Sequence, residues 1–412
     1  MAIVKPFKAV RTSGDKVARV SSKSHNIYTP RRLDSKLADN PYSFLHITNP
    51  IYTSTKEKRS EAARFELVQK KYADFKEQKV FTQDQIPAFY IYKKITALDS
   101  FCGVIAATSV EDCLNNRIKK HEGTLKQREF LFESYLKNTG FNAEPVLLSY
   151  PDNIQIDEIF EIYSQHKAAY EFTTTNEDEH LLWVVDDAAD IEKITKAFQK
   201  IDTLYIADGH HRSSASCLLA ERLKKENPKH TGNEAYNFFM SYLIAESALN
   251  IYEFNRFVTD LNGLTSKEFL NTLEHFFNIE KQGSEFYKPA KKHTFSMYLD
   301  GEFYALHLRV KGYPFTDALS RLDAQILYST VLKPILGIED IRDETKIVYS
   351  QNKSNGLELK TKVDAGTFKV SFGMHSTNIK ELKEIVDSDL LMPPKTTYIE
   401  PKIRSAITIY EF

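Results

Sequence analysis

The chain has 412 residues, 42% of them hydrophobic, and its 55 Lys and Arg against 56 Asp and Glu leave a formal net charge of −1. That balance lacks the basic excess with which a duplex-binding protein displaces counterions from phosphates, and no apolar run approaches the roughly 18 residues of a membrane span. The length suits two or three globular domains that bury their cores without staples.

Cys102, Cys113 and Cys217 are odd in number and show no CxxC spacing. They argue against a disulfide scaffold or a structural zinc site and for a reducing compartment, the cytoplasm by default. Met1 to Lys8 holds no apolar signal region, so neither secretion nor membrane insertion is expected. The basic runs Lys56-Glu57-Lys58-Arg59 and Arg117-Ile118-Lys119-Lys120 sit in mixed-charge helical contexts and read as solvated helix faces.

In chain order, residues 1–50 read as irregular, with turn signals at Thr29-Pro30 and Asn40-Pro41. Ser60 to Gln78 follows as an amphipathic helix, then strands at Ala88 to Tyr92 and Phe101 to Thr108. Thr124 to Asn138 has a helical pattern that Thr124 and Gln127 open as a capping box. Val146 to Tyr150 is strand-like, Asp157 to Tyr170 helical, and His180 to Val185 and Thr203 to Ala207 read as buried strands. The second of these enters Asp208-Gly209-His210-His211-Arg212 and a helix whose buried stripe is Ala215, Leu219 and Leu223. Tyr236 to Leu249 is an apolar strand and Leu264 to Phe277 a helix; Thr294 to Leu299 and Glu302 to Val310 form a hairpin about Asp300-Gly301. Ala318 to Leu332 reads as a helix ended by Pro334 and Gly337. Phe368 to Phe372 is a strand, Asn378 to Ser388 a helix, and Pro393 to Thr397 an irregular segment before a β-rich tail. The pattern predicts a mixed α/β (α+β) protein with boundaries near 95 and 255: an N-terminal α/β region over 1–95, a core over 96–255 and a C-terminal α/β region over 256–412.

Three segments carry candidate chemistry. A strand, a glycine turn and a helix N-terminus make a generic anion site, because the first helical amides have no intrahelical partner and the macrodipole favours negative charge. Within Asp208-Gly209-His210-His211-Arg212-Ser213-Ser214, Arg212 offers a bidentate donor, either histidine a further hydrogen bond, and Asp208 a metal ligand or an orienting carboxylate. Adjacent histidines can equally cap the helix and pack locally, and zinc is the weaker competitor because consecutive histidines point in different directions. His121-Glu122-Gly123-Thr124 places a carboxylate before a helix, and Lys395-Thr396-Thr397 follows two prolines that extend the backbone; alone, each also reads as solvated surface.

Together the three segments, in this order, resemble the free serine kinases of the ParB/sulfiredoxin superfamily, with their His-Glu pair, later Asp-Gly-His-His-Arg and late Pro-Lys-Thr-Thr. Nearly the whole chain also resembles the bacterial and archaeal family catalogued as domain of unknown function 1015. Its marks here are Lys5-Pro6-Phe7-Lys8-Ala9-Val10-Arg11, Asn40-Pro41-Tyr42-Ser43-Phe44-Leu45, Leu322-Asp323, Leu336-Gly337-Ile338 and Met392-Pro393-Pro394-Lys395-Thr396-Thr397-Tyr398. Two segments depart from it: Val20-Ser21-Ser22-Lys23-Ser24 replaces a usual Ala-Pro-Pro-Tyr-Asp-Val, and Asn255-Arg256 a usual His-Arg. Sulfiredoxin chemistry is disfavoured, since His210 stands where its nucleophilic cysteine would be.

The resemblance implies a ParB/sulfiredoxin-like core with N-terminal and C-terminal elaborations, and transfer of a phosphoryl group from ATP or ADP, with Mg²⁺, to free L-serine. It implies Glu122 as base, Asp208 and His211 as catalytic partners with Asp208 near the metal, Gly209, His210, Arg212 and Ser213 around the nucleotide, and Lys395, Thr396 and Thr397 over the substrate. The alternative is a ParB-like nucleotide-binding switch or DNA-associated protein; no basic recognition helix or basic footprint supports it, so neither nucleic acid nor membrane is expected as a partner.

Overall fold

The computed structural model describes residues 2–24, 27–49, 60–343, 345–351 and 356–412; the basic run 56–59 lies outside them. The fold is mixed α/β and divides into two compact units, one of Met1–Lys119, Thr124–Leu249 and Pro401–Phe412, the other of Lys120–Gly123 and Asn250–Glu400.

In the first unit a nine-stranded sheet runs in the order Ile118–Lys119, Leu204–Asp208, Val146–Tyr150, Phe238–Ala245, Ser100–Ser109, Phe89–Ile95, Glu179–Val185, Tyr170–Thr173, with Val4–Lys5 paired to Ser100–Ser109. Strands from before and after residue 95 thus share one sheet. Alternation places Phe89, Ile91, Trp183 and Val185 on one face, where they pack with Ile156, Ile159 and Phe160 of the helix Ile154–Ser164 and Ile194, Ala197 and Phe198 of the helix Ala188–Gln199. Burying such side chains is worth about 1.5–3 kcal/mol each. A second cluster joins Phe44, Val68, Tyr72, Phe75, Phe81 and Phe141.

The second unit is built on a seven-stranded antiparallel sheet, ordered Phe277–Gly283, Glu302–Leu308, Thr294–Leu299, Val370–Met374, Asn250–Val258, Ile347–Gln351, with Thr397–Glu400 paired to the start of Asn250–Val258. The hairpin turn forms as expected, Asp300 and Gly301 both having positive φ (47° and 85°), which matches the strand twist.

Several expected elements are corrected. Residues 1–50 contain the helices Val17–Val20, Pro30–Asp39 and Leu45–Thr48; Pro30 opens a first turn, where its missing N–H costs nothing. The helix expected over Asp157 to Tyr170 is Ile154–Ser164, because Asn153 caps it three residues earlier by accepting from the Gln155 amide, and Tyr170 begins a strand. Thr265 and Glu268 form a capping box, so that helix is Ser266–Leu273 and Phe277 starts a strand. Ala318 to Leu332 is not one helix but a 3₁₀ turn Leu319–Arg321, an α-helical Asp323–Leu327 and a π-helical Tyr328–Leu332. The capping box expected at Thr124 and Gln127 is absent: Leu125 is the N-cap of Lys126–Thr139 and the Thr124 hydroxyl donates to Glu129. Among the described residues, no helix is long and apolar enough to cross a membrane.

Candidate functional site

The expected strand–turn–helix is present at Leu204–Asp208, Gly209 and His210–Glu226. Against Val146–Tyr150 the register shifts, Ile206 lying opposite Leu148 and Asp208 opposite Leu147. Such a bulge re-aims the side chain that follows it, here Asp208 at the strand end. Gly209 then takes φ +94°, a conformation that L side chains avoid, and a Cβ there would lie 3.0 Å from Nε and Nη2 of Arg212. The glycine therefore does two jobs: it makes the turn and admits a guanidinium folded back over it. The helix is seated by Ala215 and Leu219, which pack on Leu136 with Leu223 alongside, as the stripe predicted.

Arg212 is held by two acceptors, with a second carboxylate nearby. Its Nη2 donates to Oδ2 of Asp208 at 2.7 Å, its Nη1 to the Pro145 carbonyl at 2.8 Å, and Glu144 stands 3.7 Å from Nη1. The Lys402 ammonium, 194 residues further along the chain, donates to Oδ1 of Asp208. Asp208 thus joins two cations, and the side chains of Asp208, Arg212 and Lys402 remain 33%, 22% and 37% exposed, so solvent and ligands reach them.

The remaining members of the motif are turned inward. His210 is buried and its carbonyl accepts from the Ser213 hydroxyl at 3.0 Å; Ser213 is fully buried, so its hydroxyl completes the helix turn. The buried Nδ1 of His211 has no hydrogen-bond partner, and burial, then the nearby Arg128, hold its pKa below the ordinary value, Glu129 opposing. These surroundings favour the neutral imidazole.

Glu122, Lys395, Thr396 and Thr397 belong to the second unit. The Met392 amide donates to the His121 carbonyl at 2.8 Å, and Glu122 and Met392 pair as a parallel bridge. The His-Glu segment therefore runs beside the start of the Pro393 to Thr397 segment. Lys395 is exposed with φ 57°, its ammonium 5.6 Å from the Phe254 ring centroid. Thr396 is buried and its hydroxyl donates to the Pro393 carbonyl at 2.6 Å; Thr397 lies opposite Glu253 in the sheet. Buried Arg256 donates to the carbonyls of Phe254 (2.7 Å) and Lys395 (3.4 Å) and feels the charge of Glu253.

The residues at Asp208 do not fit a divalent cation as arranged. One carboxylate oxygen is bonded to a guanidinium and the other to an ammonium, whereas Mg²⁺ needs an uncommitted oxygen and repels both cations. The turn fits an anion: two reachable cations border a helix N-terminus. Sequence reasoning missed Glu144, Lys402 and Arg256. Lys402 follows a proline in the tail, and no local signal connects it to Asp208.

The chain is similar to several solved structures. One is SbnI with C-terminal truncation from Staphylococcus aureus, at 11% identity over 74% of this chain and 87% of that chain, with a TM-score of 0.38. A free serine kinase in complex with AMP matches at 12% identity over 74% and 92%, with a TM-score of 0.33. A conserved hypothetical protein from Pyrococcus furiosus matches at 12% identity over 74% and 95%, also with a TM-score of 0.33. No curated protein matches the chain. The profile of the family described as "Protein of unknown function (DUF1015)" matches residues 4–325, and with more than half its length so covered, from the first strand past the Asp208 turn, the chain belongs to that family.

Proposed function

We propose that the protein transfers the terminal phosphoryl group of a nucleotide, ATP or ADP, to the hydroxyl of free L-serine, giving O-phosphoserine. The observation that carries this reading is the Asp208 turn, where the glycine conformation admits a guanidinium at a helix N-terminus and the tail brings an ammonium onto the same carboxylate. Phosphoryl transfer asks chiefly for positioning and for neutralisation of charge on the transferred group, and these groups offer both. The order of the three motifs, shared with the free serine kinases they resemble, supports serine as acceptor. The free cysteines and near-neutral charge support a cytoplasmic enzyme acting on a small molecule.

On this reading Arg212, with the first amides of the His210–Glu226 helix, binds phosphate oxygens, and His210 and His211 shape the turn. The serine oxygen bonds to phosphorus as the bond from phosphorus to the nucleotide oxygen breaks, and Glu122 takes the hydroxyl proton. Lys395 and Thr397 border the substrate, while the Thr396 hydroxyl shapes their loop. Because Asp208 is engaged with cations, no step is assigned to a metal there.

The test is incubation of the purified protein with L-serine, Mg²⁺ and either ATP or ADP, read by the mass of O-phosphoserine. Accumulation with either nucleotide supports the reading. Nucleotide binding without phosphoserine rejects it in favour of a nucleotide-binding switch.

A further inference from the structure

Lys402 reaches Asp208 from a stretch of chain that is anchored at several points. Within the first unit, the Ser405 hydroxyl donates to Glu144 at 2.8 Å, the Ala406 amide to the Ala143 carbonyl at 3.0 Å, and the Ser405 amide to the Ser22 carbonyl at 2.8 Å. Arg404 donates from Nε to the Ser21 hydroxyl at 3.0 Å and from Nη2 to the Ser21 carbonyl at 2.5 Å. The serines that replace the family's usual segment near residue 20 thus help seat the strip that carries Lys402. The same strip bonds Glu144, whose carboxylate also faces Arg212. An ammonium delivered by so fixed a backbone, yet 37% exposed along its side chain, is reachable from solvent at a defined place.

Asp208 gives the arrangement its meaning. Two cations of different origin, one on the helix and one on the tail, would repel each other if gathered without an anion between them. The carboxylate takes one on each oxygen and so keeps guanidinium and ammonium side by side. Both shapes suit phosphate, the guanidinium as a planar fork and the ammonium as a point charge.

We propose that Lys402 is a second phosphate-binding cation of this site and that Asp208 is the carboxylate that holds it beside Arg212, acting as a positioning residue instead of a metal ligand. This rests on the reading of the turn as a nucleotide-phosphate site. It names two roles that the sequence motif alone does not contain.

The test is calorimetric titration of the full chain, in EDTA, with ADP and with inorganic pyrophosphate. Lys402→Ala is expected to weaken both ligands by about 10-fold or more, the scale of a lost hydrogen bond to a charged group. Lys402→Arg, which keeps the charge, restores most of the loss with an unchanged melting temperature. In an Asp208→Asn background the Lys402→Ala loss shrinks, because the ammonium is no longer held in place. Unchanged affinity in Lys402→Ala, no rescue by arginine, or equal losses in the two backgrounds would each overturn the proposal. So would pyrophosphate binding that appears only on adding Mg²⁺, which would return Asp208 to the metal. Binding of pyrophosphate but not ADP by the wild-type chain keeps Lys402 as an anion ligand and rejects the nucleotide reading. Binding of neither rejects both.

Discussion

The Asp208 turn and the Met392 to Thr397 segment are both short, glycine- or proline-marked stretches, yet they hold their polar groups in opposite ways. At the turn, partly exposed charged side chains bond to one another: Arg212 and Lys402 meet on Asp208. In the segment, the bonds close inward, Thr396 onto the Pro393 carbonyl and Met392 onto the His121 carbonyl, with buried Arg256 reaching the Lys395 carbonyl from behind. An ion pair that solvent reaches is worth little to stability and can be exchanged for a ligand's charge, whereas a buried hydrogen bond is costly to break. On the proposed function the two regions divide the labour: the turn binds an anion and the segment holds its shape beside Glu122.

The sharpest way to break this division is Glu122→Gln, which keeps the shape and removes the basic charge. Turnover is expected to fall roughly 10²-fold or more, the lower end of general-base contributions, while ADP affinity stays within about 3-fold, because the lost interaction is made mainly in the transition state. Steady-state kinetics and titration on the same variant check it; full turnover in a folded variant removes Glu122 from the chemistry.

Next in size is Arg212→Ala, with a loss of ADP affinity on the order of 1.5–3 kcal/mol. Gly209→Ala should reproduce part of that loss without touching a charged group, since φ +94° strains an alanine by roughly 1–2 kcal/mol and its Cβ displaces the guanidinium. Equal ADP affinity in both variants and wild type would place the phosphate elsewhere.

Thr396→Val tests the other half of the contrast. Losing a buried turn bond should cost about 1 kcal/mol of stability by denaturant titration, with ADP affinity unchanged. A variant as stable as wild type but weaker in serine affinity would make Thr396 a ligand group.

The remaining predictions concern pH, where the two units carry buried groups of opposite sign. Burial, then Arg404 and Lys94, push His180 down to about 3, so the folded chain refuses a proton that the unfolded chain binds below about pH 6.5, and this contribution to stability is lost as pH falls from 6.5 toward 3. Burial pushes Asp323 up to about 7 against the bond from the His293 amide and the charge of Lys292, so the folded chain keeps a proton that the unfolded chain releases above 3.8, and stability is lost as pH rises from 3.8 through 7. Scanning calorimetry from pH 4 to 8 should show His180→Gln flattening the acid limb and Asp323→Asn the neutral one; identical limbs in variant and wild type would reject the respective assignment.

What was legible in the sequence was local. Leu204 to Leu223 carries its own strand, glycine and apolar stripe within a few turns, and Asp300-Gly301 encodes its hairpin in two residues. The long pattern at 318–332 misled because its apolar spacing persists through a π-helical stretch whose hydrogen bonds, not side chains, differ. The Lys402 contact to Asp208 was hidden by 194 residues of separation, and neither end changes its local pattern to announce the other. The inward bond of Thr396 was likewise invisible, since a threonine in a proline-rich loop reads the same whether its hydroxyl faces solvent or a carbonyl.

The most direct measurement is a crystal structure of the protein with ADP. Phosphate oxygens are expected within about 3 Å of the Arg212 guanidinium and of the first amides of the helix His210–Glu226, with Lys402 turned onto the same phosphates. ADP phosphates lodged elsewhere, with Arg212 and Lys402 still closed on Asp208, would contradict it.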